Sequence, residues 1–358
     1  MKLAMILQNT RCPQRQFGRA IAMMFGTFLF LLNPLRGSCQ LAPGSMGVHW
    51  DEGSLNCNAY SGPPLQVHAY NSQTYILREN LCATFEAPFM YLLIGSTKAL
   101  LIDTGDVADS KQMPLAATVM QLLPTSREAK IPLLVVHTHR HLDHRAGDGQ
   151  FANVANVQVA GYDLASVKKF YGFSDWPNGT AVINLGDRQV DVIPTPGHNE
   201  TEVSFYDRNT GLLFSGDFLL AARLLVDDSK AYSASAERMA NFVRYRPVSY
   251  VLGGHIEKDA NGNLFPWQSQ YHPHEHQLQL SKQEVMALPE AFHHFNGLYS
   301  EVGPFVFMDS MRILAVCGIF ILIVLVVIVS MLVRFVRRRQ ASSRQQIARR
   351  DSLESNSA

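Results

Sequence analysis

Charge is scarce in this chain and unevenly withheld. Only 17% of the 358 residues are charged, and the net charge is +1. Acidic residues are absent from Met1–Arg36, which carries five Lys/Arg, while Arg334–Ala358 holds seven Arg against two acids. The stretch between them, Gly37–Val333, is correspondingly short of bases, with 19 Lys/Arg against 28 Asp/Glu. A domain with that excess of acid is a poor host for a polyanion, which argues against nucleic acid as a partner. Cysteine is also scarce. Of five, Cys12 and Cys39 lie near the N-terminus and Cys317 in an apolar run, leaving Cys57 and Cys82 in the main body. Neither has metal-ligand spacing, so a thiolate metal site is excluded; a disulfide and two separate buried thiols both stay open. Internal repeats and signs of global disorder are lacking, and at 47% hydrophobic the chain can bury one large core.

What the two ends do contain is apolar sequence. Lys2, Arg11, Arg15 and Arg19 precede the 13-residue run Ala20–Leu32, followed by Pro34 and Gly37-Ser38. The run is short for a bilayer span and suits the core of a signal peptide, giving a targeting segment over 1–39 with cleavage near Cys39 or Gln40; an uncleaved anchor is the other reading. Ile313–Val333 has 21 residues without a charge. As a helix it covers roughly 31 Å, enough for a transmembrane helix. Arg334, Arg337, Arg338 and Arg339 follow at once, so the positive-inside tendency puts the basic tail 334–358 in the cytoplasm, with the polar stretch Gln340–Ala358 read as disordered. The main domain, 40–307, is then extracytoplasmic on a single-pass membrane protein, periplasmic if the source is a Gram-negative bacterium. Protein partners are not indicated.

Between the ends, short apolar runs punctuated by Asn, Gly and Pro predict strands at Gln66–Tyr70, Thr74–Arg78, Phe89–Ile94, Ala99–Ile102, Leu133–Val136, Val190–Ile193, Val203–Tyr206, Leu212–Phe214 and Tyr250–Leu252. Helical spacing marks Met113–Leu123, Asp163–Tyr171, Ser235–Arg244 and a helix opening at Glu275 and running to Leu288.

The densest chemistry follows the strand Leu133–Val136. There, His139 and His141 stand two apart, so both imidazoles point to one side of an extended backbone, while Asp143 and His144 diverge where the chain turns. One segment can therefore serve two neighbouring ions. Imidazole with carboxylate suits zinc, and also iron or manganese. The pattern His139-x-His141-x-Asp143-His144 resembles the signature of metallo-β-lactamase-fold hydrolases. Further matches occur in the family's order at later strand ends: His198 in Thr195-Pro196-Gly197-His198, Asp217 in Ser215-Gly216-Asp217, and His255 in Gly253-Gly254-His255. Upstream, Asp103 in Ile102-Asp103-Thr104-Gly105 resembles the supporting aspartate of the first motif. One departure is Arg145-Ala146-Gly147, where relatives carry a small apolar residue and two glycines. It changes the helix start beside the site and removes no ligand.

The resemblance, covering roughly Gln66 to His255, implies a layered α/β fold, an αββα sandwich, plus the C-terminal transmembrane helix. It implies His139, His141 and His198 on a first metal, Asp143, His144 and His255 on a second, and Asp217 bridging. Two zinc ions sharing a water would bring its pKa towards neutrality and generate hydroxide next to an electrophile. Asp143 would orient that nucleophile and is the candidate catalytic residue. Aspartate at position 217 looks like the glyoxalase II, lactonase and phosphodiesterase branches, because true β-lactamases carry Cys or Ser there. The expected substrate is a small ester, thioester, lactone or lactam. A phosphodiester, or a membrane-tethered sensing module that binds metal without turnover, is the alternative. A second cluster, His272-Pro273-His274-Glu275-His276, reads as a polar loop and helix start, with a substrate-pocket or accessory metal contact as its other reading.

Overall fold

The computed structural model describes residues 41–126 and 129–355, so the expected targeting segment lies outside the described residues. Strands β1 (Leu65–Asn71), β2 (Thr74–Glu79), β3 (Phe89–Ile94) and β4 (Ala99–Ile102) form an antiparallel meander. Helix α1 (Leu115–Leu122) and a small pair, β5 (Thr125–Ser126) with β6 (Ala129–Lys130), lead to β7 (Leu133–Val136) and β8 (Val157–Val159), which extend the meander in parallel. After α2 (Leu164–Tyr171) come β9 (Ala181–Asn184), β10 (Gln189–Pro194), β11 (Val203–Asp207) and β12 (Leu212–Gly216). Next are β13 (Arg223–Leu225), α3 (Ser229–Val243), β14 (Tyr250–Gly253), β15 (Gln279–Leu280) and α4 (Lys282–His293). The chain closes with β16 (Tyr299–Val302), β17 (Phe305–Met308) and the long α5 (Ser310–Ser355). The first sheet runs β1-β2-β3-β4-β7-β8, the second β15-β14-β12-β11-β10-β9, and a small third β13-β17-β16.

Period-two alternation explains the layering. On β3, Phe89, Tyr91 and Leu93 join Phe205, Leu212 and Phe214 of the second sheet in one buried cluster between the sheets. Met90, Leu92 and Ile94 face the other way and meet Leu115 and Val119 of α1. The second sheet does the same, packing Ile193, Leu213 and Val251 against Tyr232, Met239, Val285 and Leu288 of α3 and α4. Strands buried on both faces thus have helices outside, the αββα order. Each large apolar side chain so buried stabilises the fold by about 1.5–3 kcal/mol. A disulfide joins Cys57 to Cys82, resolving that alternative.

Three boundaries differ from expectation. Helix α3 begins at Ser229 because Asp228 caps it, accepting from the amides of Lys230 and Ala231. Helix α4 begins at Lys282, not Glu275: Ser281 and Glu284 form a reciprocal capping box, and Glu275 is buried beside Arg78. The tail expected to be disordered continues α5 to Ser355, with neither glycine nor proline after Gly318 to end it. Ser310–Arg339 is long and apolar enough to cross a membrane.

Candidate metal centre

Five chemistry-bearing segments sit at the C-terminal ends of β4, β7, β10, β12 and β14, and backbone hydrogen bonds lace those ends together. The amide of Asp103 donates to Val136, that of Val203 to Thr138, and that of Gly254 to Gly216, each at 2.8 Å. These links bring all seven expected side chains to one place. His139, His141 and His198 form one group, and Asp143, His144, Asp217 and His255 a second; within each, the ligand-capable atoms lie within 4.8 Å of one another.

In the first group His141 Nδ1 is 2.9 Å from His139 Nε2 and 3.1 Å from His198 Nε2. In the second, Asp143 Oδ2 is 3.3 Å from both His144 Nε2 and His255 Nε2. Asp217 stands between them, its Oδ2 at 3.7 Å from His198 Nε2 and 3.5 Å from His144 Nε2, its Oδ1 at 3.6 Å from His255 Nε2. Ligands on a tetrahedral ion at about 2.0–2.1 Å lie roughly 3.3 Å apart, so these spacings fit a metal. Asp217 Oδ1 is buried with no hydrogen-bond partner, an acceptor that a cation would satisfy. At Gly254 a Cβ would lie 2.4 Å from that oxygen and 2.8 Å from His144 Cε1, so only glycine leaves the space open.

The far side of each ring is held as well. His144 Nδ1 donates to Asp103 Oδ2 at 3.0 Å, His198 Nδ1 to the Leu225 carbonyl at 3.1 Å, and His255 Nδ1 to the Glu86 carbonyl at 2.6 Å. Such bonds set the tautomer that leaves Nε2 free to bind metal. Asp103 also accepts from the Thr138 amide and hydroxyl, and holds a left-handed φ of 65°. Strain of that kind persists where surrounding contacts over-determine the backbone. Gly197, with φ 152°, brings the chain against the Tyr232 backbone just before His198. The departure at Arg145 has a visible result: a 3₁₀ turn over Ala146–Gln150 starts there, and the Arg145 guanidinium lies 3.8 Å from the Tyr162 ring.

Electrostatics divide the two groups. Burial, then His144 and His198, push His139 well below its ordinary pKa, and burial with His198 lowers His141. Burial opposes charge on His144 too, but Asp143, Asp217 and Asp103 outweigh it and hold that ring well above the ordinary value. Against its own burial, His255 is raised to about 10 by Asp217 and Asp143. Both aspartates lie far below the usual carboxylate range, their burial overcome by these cations. Divalent metal is the natural replacement for those protons.

A cleft of about 190 Å³ opens on the site, walled by Leu220, Ala222, Leu225 and Trp267, with Arg223 and Glu257 at its rim. Sequence reading missed these walls, because loops and the short β13 carry them without a motif. The second histidine cluster is not part of this centre: His272 Nδ1 is paired with Glu275, and Glu275 takes two hydrogen bonds from Arg78.

The geometry agrees with comparison to known proteins. The family model described as Metallo-beta-lactamase superfamily matches residues 83–255. Acyl-coenzyme A thioesterase MBLAC2 of Homo sapiens is 29% identical over 220 residues, 51% of this chain and 77% of that protein. Hydroxyacylglutathione hydrolase of Rhodobacter capsulatus is 31% identical over 165 residues, 45% of this chain and 61% of that protein. A solved structure, the metallo-beta-lactamase from Pontibacter korlensis, aligns over 64% of this chain and 100% of its own at 18% identity, with a TM-score of 0.45. The whole His/Asp cluster lies within residues 83–255, so the chain carries a metallo-beta-lactamase superfamily domain, and with hydrolases among its relatives it is a hydrolase of that fold.

Proposed function

We propose that this protein is a binuclear zinc hydrolase that cleaves acyl thioesters from the extracytoplasmic side of a membrane. The observation that carries the reading is Asp217, whose Oδ2 lies between His198 of the first group and His144 of the second while its buried, unpartnered Oδ1 faces His255. His139, His141 and His198 would hold one ion, Asp143, His144 and His255 the other, with Asp217 shared. Bound zinc supplies Lewis acidity and lowers the pKa of water to near neutrality.

The chain's own groups supply the rest. Asp143 orients the attacking water towards the acyl carbon. Asp103, Leu225 and Glu86 hold three imidazoles in the binding tautomer. Leu220, Ala222, Leu225 and Trp267 give the acyl group an apolar wall. The thioester preference draws on the relatives, which are named for an acyl-coenzyme A and a hydroxyacylglutathione substrate. The topology draws on Ile313–Val333 with its trailing arginines, and on the Cys57–Cys82 disulfide, which suits an oxidising compartment. On that reading the N-terminal segment 1–39 directs export and 334–358 lies in the cytoplasm.

Metal content and turnover of the full chain in detergent, measured against thioesters, lactones, β-lactams and phosphodiesters, test the proposal. About two zinc per chain with thioester cleavage supports it. Turnover confined to phosphodiesters, or two metals with no turnover of any class, overturns it.

A further inference from the structure

The metal cleft and the apolar helix are neighbours through one short sheet. Strand β13 walls the cleft, and its last residue, Leu225, accepts the hydrogen bond from His198 Nδ1. Leu225 pairs with Met308, the last residue of β17, and the Val226 amide donates to the Met308 carbonyl at 2.8 Å. Because β13 and β17 are parallel, the end of β17 that enters α5 is the end beside the metal ligand. On the other flank, Tyr299 of β16 pairs with the same Met308. Only Asp309 separates β17 from α5, and it is no free hinge. It is 2% exposed, its amide donates to the Leu298 carbonyl at 2.9 Å, its Oδ1 accepts from the Arg312 amide at 2.8 Å, and its Oδ2 is 3.0 Å from Arg312 Nε.

Strand spacing and helix rise put Leu225 on the order of 15 Å along this path from Ile313, where the uncharged run begins. Large side chains are exposed around the same end: Leu298 (37%) and Tyr299 (40%) at the junction, and Trp267 (53%) at the cleft, with the Arg223 guanidinium 5.5 Å from its ring. Tryptophan and tyrosine with arginine suit the level of lipid headgroups, where one end of the side chain is apolar and the other wet.

We infer that the cleft is held at the bilayer surface and takes its substrate from the membrane, a long-chain acyl thioester whose chain lies among the lipids while its carbonyl reaches the metal centre. The chemistry rests on the hydrolase reading above; the placement rests on the β13–β17–α5 connection alone. In the reaction the oxygen of water bonds to the acyl carbon, the C–S bond breaks, the sulfur leaves with a proton as thiol, and the fatty acid remains in the lipid.

The test uses the full chain in phosphatidylcholine vesicles with hexadecanoyl and acetyl thioesters of one thiol. A Gly/Ser insert of about ten residues after Asp309 moves the domain off the surface by roughly 17 Å. Hexadecanoyl cleavage then falls about tenfold through lost effective concentration, while acetyl cleavage is unchanged. An unchanged hexadecanoyl-to-acetyl ratio overturns the inference. If the parent chain cleaves neither thioester, the hydrolase reading has failed and fluorescence decides the placement. Lipids brominated near the ester end of the acyl chain should quench emission of the parent chain more than that of Trp267→Phe, whereas equal quenching rules out contact of Trp267 with the bilayer.

Discussion

Two segments of this chain are rich in histidine, and only one of them is built for metal. Around His139, His141 and His144, ring nitrogens converge on one another at 2.9–3.2 Å, and Asp217 Oδ1 is left without a partner. Around His272 and His276 the rings find partners of their own. His272 bonds Glu275 at 3.0 Å and stacks on Phe265 with ring centroids 4.2 Å apart, Arg78 holds Glu275 through two bonds, and His276 contacts the Gln277 carbonyl. The permanent Arg78 cation also repels a metal. Density of histidine is therefore a weak signal; converging ring nitrogens beside an unpartnered carboxylate oxygen are a strong one.

The sharpest way to break this contrast is Asp143→Ala. Turnover should fall by about 10²–10⁴-fold, with thermal unfolding near that of the parent. A purified variant with parental activity would remove Asp143 from the reaction. Next is Glu275→Gln, which leaves Arg78 buried without its counter-charge and should cost about 3–5 kcal/mol of stability. Its denaturation midpoint should drop while zinc content stays at the parental level, and loss of zinc would merge the two clusters into one functional unit. Asp103→Asn weakens the hold on His144 and should reduce metal affinity about 10–100-fold, read by chelator competition; unchanged affinity would make Asp103 merely structural.

Smaller effects concern protons. In chelated protein at neutral pH, His144 and His255 carry protons, since one is held well above its ordinary pKa and the other at about 10. A bound divalent metal must displace them, so loading releases protons and affinity falls as pH falls. Calorimetry in two buffers of different ionisation enthalpy checks this, and identical apparent enthalpies would contradict it. The second cluster has its own acid limb. Although burial opposes its charge, Glu275 is lowered by Arg78 and His272, so its folded pKa lies below the unfolded one. That contribution is present above the unfolded value of about 4.3 and is lost as pH falls through the lower folded value. Parent and Glu275→Gln should therefore converge in stability in acid.

Local patterns were readable in advance because they depend on neighbours in the chain. Continuous apolar runs such as Phe89–Ile94 require a strand buried on both faces, and 21 residues without charge require an apolar helix wherever they sit. The spacing of His139, His141, Asp143 and His144 named candidates because side-chain direction on an extended backbone is itself local. The helix at Glu275 was misplaced for the opposite reason. Glu275 opens no helix because Arg78, 197 residues away, engages it, while Ser281 and Glu284 offered a better local start that the histidines obscured.

Other features depended on distant segments meeting. The ring-orienting carbonyls of Leu225 and Glu86 have no side-chain signature, since any residue supplies a carbonyl and only packing aims it. The same holds for β13 and β17, short strands more than 80 residues apart whose parallel pairing sets the cleft beside the apolar helix. Chain-local sterics and hydrophobic pattern wrote the strands, the apolar helix and the histidine-rich strand end into the sequence, while the sandwich and the full set of candidate ligands were legible only through the family resemblance. Which carbonyl faces which imidazole, and which wall of the cleft meets the helix, was settled by the burial and hydrogen bonding of the assembled chain, where non-local contacts must offset the entropy of closing long loops.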